Sequence, residues 1–207
     1  MSTADIATRN SVQRQRRLGA LARWLHIYIS MLSCVIVLFF AVTGLTLNHA
    51  DWFGSTPIQS DTKGKCPAEW VKLGNEHVAK FEIVEHLRSH HGVKGAVSEC
   101  RIEEDQCIVS FKGPAYSADA FISRATGEYD FTETRMGMVA LINDLHKGRD
   151  TGLAWSWFID VSSILLALVS LTGLMLMAWI KRHRFNGYML AALGGVACLL
   201  LYYFAIP

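Results

Sequence analysis

The chain has 207 residues, 51% of them hydrophobic, with 20 Lys and Arg against 18 Asp and Glu and a formal net charge of +2. With a mean hydropathy of +0.24 it is too apolar for an ordinary soluble domain, yet too charged through its middle for a bare membrane bundle. It carries no basic stripe and no nucleic-acid motif, which argues against a nucleic-acid partner.

Residues 1–20 form a basic segment, in which Arg9, Arg14, Arg16 and Arg17 stand against the single acid Asp5. The stretch "LARWLHIYISMLSCVIVLFFAVTGLTLNH", residues 21–49, follows, and its uncharged run Ile27–Leu47 is long enough to cross ~30 Å of hydrocarbon as a helix. It exceeds the apolar core of a signal peptide and lacks a small-residue cleavage site, so it reads as a transmembrane helix. Residues 50–140 are mixed and slightly acidic. Within them Val78, Phe81, Val84 and Leu87 recur at helical spacing across residues 75–91, and Gly92 is a stop signal. "AVSECRIE", "QCIVSF" and "YSADAFIS" read as strands, and "ATGE" turns into a last short piece, "YDF". One helix on a small antiparallel sheet is expected. A hairpin turning at Glu103–Glu104 would set Cys100 directly opposite Cys107, near enough to bridge; free thiols or a bridge to Cys66 are the alternatives. Cys34 and Cys198 lie in apolar runs and read as small packing residues.

Residues 141–183 hold a second span, Val161–Ile180, with an outer extension, and residues 185–207 a third, Tyr188–Ile206. The fold class is therefore an α+β membrane protein: three transmembrane helices, with a small extracytoplasmic αβ domain between the first two. The arginine-rich N-terminal segment and the Lys181, Arg182, Arg184 loop read as cytoplasmic. That places residues 50–140 and the C-terminus on the outer side, in the periplasm.

Four histidines mark the ends of the first two spans: His26 and His49 on the first, His146 and His183 on the second. Neutral imidazoles on facing helices are a common way to hold b-type haem, so one or two haem b groups are expected. Antiparallel helices match His49 with His146 near the outer face and His26 with His183 near the inner face. His183 sits within "KRHR", where a basic loop accounts for it equally. Arg23, Lys147, Arg149 and Arg182 are placed to meet propionates. His26 and His49 are 23 residues apart, about 34 Å along a straight helix, which argues against a simple two-haem wire and leaves a single haem open. Both segments carry a small-residue step, "VTGLTLN" and "LTGLMLM", where Gly44 and Gly173 allow close approach and Thr43 and Thr172 can bond the backbone. Asp160 is expected in the first turn of the second span, near the helix dipole. His86 and His90 are spaced i, i+4, but with His77 and His91 nearby a solvated helix end accounts for them.

"RWLHIYIS", "AVTGLTL", "SRATGEY" and "LHKGRDTGLAWSWFIDVSSILLALVSLTGLML", in that order, resemble the PepSY-associated transmembrane helix family in its short three-helix form. The resemblance covers roughly residues 20–180. It implies an inner-membrane protein with a periplasmic PepSY-like domain, similar to haem-containing reductases of iron–siderophore uptake and to extracytoplasmic flavoprotein electron-transfer systems. The family's membrane histidines correspond to His26 after Arg23-Trp24-Leu25 and to His146 before Lys147-Gly148. "SRAT" lacks the Asp-Gly lead of a flavin-attachment motif, so flavinylation is not expected. The function this reading supports is electron passage across the membrane, to or from a periplasmic redox protein or ferric chelate. Without a nucleotide-binding fingerprint, the other partner would be quinone or another membrane subunit, and the chain an oxidoreductase or electron-transfer subunit. The contrasting readings are a non-redox PepSY-type regulator or inhibitor of a periplasmic protein, and an accessory of haem or iron transport.

Overall fold

The computed structural model describes residues 3–54, 56–72, 78–180 and 182–206. The chain divides into two compact units, residues 39–159, and residues 1–38 with 160–207.

Helix α1 is a single element, Thr3–Asn48. The basic segment expected to precede the span is part of the same helix, because its Ala, Arg, Gln and Leu residues are strong helix formers and no proline interrupts them. A 3₁₀ turn, Ala50–Phe53, ends it. The sheet domain then runs β1 (Ile58–Lys65), α2 (Glu69–Lys72), α3 (Lys80–His91), β2 (Ala96–Ile102), β3 (Gln106–Gly113), β4 (Tyr116–Ser123) and β5 (Glu128–Arg135). The strands are all antiparallel, in the order β1-β5-β4-β3-β2. Alternation sends Cys107, Val109 and Phe111 of β3 and Ala118, Ala120 and Ile122 of β4 to one face, where they are fully buried against Ile83 and Leu87 of α3 and Val71 of α2. Gly92 closes α3 in the left-handed region, its N–H on the Arg88 carbonyl.

Both edge strands are charged. Lys63 and Lys65 of β1 pair with Asp130 and Glu128 of β5, while β2 breaks its register at a bulge between Val97 and Glu99. Strand β1 lies outside the sequence expectation: its "IQSDTKGK" is nearly all exposed and shows no apolar alternation to read.

Two further helices follow, α4 (Met138–Lys147) and α5 (Gly152–Trp179). The expected single second helix with an outer extension is thus two helices, separated where Gly148, Asp150 and Gly152 all adopt positive φ. Asp160 falls eight residues inside α5 and not in its first turn, so the dipole does not account for it. Helix α6, Arg184–Ala205, has no buried residue. Helices α1, α5 and α6 are each long and apolar enough to cross a membrane. Helices α1 and α5 meet through small residues: Gly19 against the Trp179 ring, with Ala22, Ser33 and Ser162 buried. The hydroxyl of Ser33 donates to its own helix at the Ile29 carbonyl, 2.7 Å, so it brings no unpaired polar group into the apolar region.

Candidate functional site: histidines on threonine–glycine steps

His26 of α1 meets Thr172 and Gly173 of α5. Its Nδ1 lies 2.9 Å from Thr172 Oγ1. That hydroxyl already donates to carbonyls of its own helix, Leu168 at 2.7 Å and Val169 at 3.0 Å. A hydroxyl has one hydrogen, so toward the imidazole Thr172 can only accept. The proton therefore sits on Nδ1, and Nε2 keeps its lone pair. Gly173 lets the ring in: a Cβ there would come within 3.3 Å of His26 Cε1.

His146 repeats this arrangement on Thr43 and Gly44 of α1. Its Nδ1 lies 2.7 Å from Thr43 Oγ1, which donates to the Phe39 carbonyl at 2.7 Å. The same reasoning puts the proton on Nδ1 and leaves Nε2 as the free base. A Cβ at Gly44 would stand 3.4 Å from His146 Cε1, and Phe40 packs edge-on against the ring at a centroid distance of 5.3 Å. Both imidazoles are half-buried.

Helix α4 places His146, and its last turns are held by several contacts. The Ala115 N–H, in the Pro114–Ala115 turn between β3 and β4, donates to Asp144 Oδ2 at 2.9 Å. Buried Asn143 lies 3.0 Å from Thr46 Oγ1 of α1. Gly148 caps α4 in the left-handed region, with its N–H on the Asp144 and Leu145 carbonyls. The Trp155 indole N–H donates to the Leu145 carbonyl at 2.8 Å, folding the start of α5 back onto the end of α4.

The other two expected ligands stand elsewhere. His49 stacks on Trp52 at 3.7 Å and bonds the Asn48 amide at 3.3 Å, just past the end of α1. His183 precedes α6, exposed and making no side-chain cap. Each site histidine is thus coupled to a Thr-Gly step of another helix, while His49 and His183 take separate surroundings. Arg23, Lys147, Arg149 and Arg182 are exposed, and Lys181 lies outside the described residues. The sequence signal for the threonines was the shared "TGL" triplet; the histidine partners are 103 and 146 residues away in the chain.

In the sheet domain the β2–β3 turn is centred on Glu104–Asp105, one residue beyond the expected position. Cys100 therefore faces Val109, and Cys107 faces Ile102. Arg124 fixes this turn, its Nη1 donating to the Glu103 carbonyl at 2.8 Å. The two cysteines share the core face as a diagonal pair and are free thiols, as is Cys66. Burial, reinforced by the neighbouring Cys100, pushes the Cys107 thiol up to about 12. His91 stacks on Phe131 at 4.2 Å and bonds the Tyr129 hydroxyl at 3.0 Å. Burial, with His90 second, holds its pKa below the usual value. His77 lies outside the described residues.

Three apolar helices of spanning length, with a five-stranded antiparallel sheet and its helices between the first and second, define a membrane protein carrying an αβ domain. The chain belongs to the family described as putative PepSY_TM-like, whose model matches residues 20–207. That match takes in both histidine–threonine–glycine arrangements and extends through α6. No curated protein and no solved structure matches the chain.

Proposed function

We propose that this protein binds haem b in the inner membrane through His26 and His146 and passes electrons to or from a periplasmic redox partner. The observation that carries this reading is the repeated Nδ1–H to threonine bond, which leaves each Nε2 as a lone-pair donor. An imidazole presented in this way, with its other nitrogen tied down, is chemically suited to axial ligation of iron. Haem would supply one-electron ferric–ferrous chemistry. Thr172 and Thr43 fix the tautomer and ring orientation, and Gly173 and Gly44 make room for the ring edge. Arg23 and Arg182, and Lys147 and Arg149, are the cations available to propionates. His49 and His183 remain the candidate second ligands within this chain. The positive flanks orient the N-terminus to the cytoplasm and the sheet domain and C-terminus to the periplasm. A ferric chelate is the alternative acceptor to a redox protein, with quinone or another membrane subunit at the other end of the chain of transfer.

The test is the visible spectrum of detergent-purified protein made with ample haem, oxidised and dithionite-reduced. Low-spin b-type bands near stoichiometry, diminished in His26→Ala and in His146→Ala, are expected. A colourless wild-type protein would sink the reading and leave the regulator of a periplasmic protein in front.

A further inference from the structure

A second pair of imidazoles lies outside the membrane helices, on the last turns of α3. His86 and His90 face each other with ring centroids 4.0 Å apart and a 34° tilt. His90 Nδ1 is 3.0 Å from the His86 carbonyl. A carbonyl only accepts, so His90 carries its proton on Nδ1 and keeps the Nε2 lone pair. His86 packs against it with its Nε2 buried and without a hydrogen-bond partner. A buried polar atom left without a partner calls for an explanation, because such atoms are ordinarily satisfied.

Trp70 and Tyr129 wall this pair edge-on to His86, at 5.7 and 6.0 Å. His91 is not a third ligand, since its Nε2 is engaged with the Tyr129 hydroxyl. No cluster of three or more metal-ligating side chains exists among the described residues. Two imidazoles remain, His90 oriented by the His86 carbonyl and His86 with its Nε2 unpartnered.

We infer that His86 and His90 form a two-histidine site for a late first-row divalent cation, its remaining positions filled by water or an exogenous ligand. The spacing i, i+4 on one helix face lets both rings reach one ion. Two imidazoles with no carboxylate select against Mg²⁺ and Ca²⁺, and the Irving–Williams order makes Cu²⁺ the tightest occupant. This site is independent of the membrane histidines.

The test uses untagged full-length protein in detergent, stripped with chelator and titrated with Cu²⁺ while electron paramagnetic resonance follows the nitrogen couplings. One equivalent bound through two imidazole nitrogens is expected. The second imidazole binds intramolecularly, so His90→Ala should weaken the copper affinity roughly 10²-fold. His90 is exposed, so this variant leaves the fold intact; His86→Gln, checked by circular dichroism, should behave the same way, and His183→Ala should bind copper as wild type does. Undiminished copper affinity in His90→Ala, or coupling to one nitrogen only, overturns the site. The haem bands of the same His90→Ala protein should be unchanged, which separates this result from the membrane reading.

Discussion

Thr43 and Thr172 make the membrane histidines specific. Histidine near an apolar segment is tolerated in many settings, but a hydroxyl whose hydrogen is committed to its own helix dictates which ring nitrogen is protonated. Valine has the same shape and no acceptor, so Thr43→Val or Thr172→Val leaves a half-buried Nδ1–H without a partner, a loss of about 1–3 kcal/mol. Each valine variant should unfold at lower temperature than wild type, and where haem is bound its reduction potential should shift. Serine keeps the oxygen and should restore both. Equal behaviour of valine and serine would show that the hydroxyls do not orient the rings.

Helix α3 against β5 couples the sheet domain to pH. His86 and His91 both have pKa values held below the ordinary 6.5, chiefly by burial. Below that value the unfolded chain takes up protons that the folded chain refuses, so stability falls as pH drops from the ordinary value to the depressed ones and is independent of these groups above the ordinary value. Metal-free protein should therefore lose thermal stability from about pH 6.5 downward, and His91→Gln should flatten that slope. A slope unchanged in the variant would remove His91 from the account. At this level the sequence was readable where apolar runs and periodicity exist: the spans and the central strands follow from them, while of the stripe expected on α3 Leu87 is buried but Phe81 is exposed and Ile83 takes the core position. Where folding depends on a partner distant in the chain, it was not. Strand β1 is an edge with no buried stripe, and the β2–β3 register turns on Arg124, some twenty residues away from the loop it pins. The α4–α5 break was signalled by Gly148 and Gly152, but apolar residues on both sides mask it as one helix. The two threonines were visible, and the histidines that meet them were identifiable as helix-end residues and through the family resemblance, but their pairing with the threonines was not.

Among the described residues there are three candidate spans, and the arginines before the first and after the second predict the sides on which the parts of the molecule lie. Alkaline phosphatase fused after Gly127 should be active, and after Arg184 inactive. Reversal of that pattern would exchange the compartments assigned to the sheet domain and the basic loop. Because α6 has no buried residue, its removal should leave the His26–Thr172 and His146–Thr43 pairs in place.

The charged rims of the sheet have a consequence for life in two dimensions. Copies anchored in one bilayer meet sideways at far higher local concentration than soluble proteins do, and an open strand edge is a template for backbone pairing with the next copy. Strand β1 presents Lys63 and Lys65 at that rim, and β2 interrupts its ladder at Val97–Glu99. Neither rim offers a long, neutral, regular run of amides. Lateral crowding therefore does not zip these domains into a continuous sheet, and each copy keeps its own surface at high density.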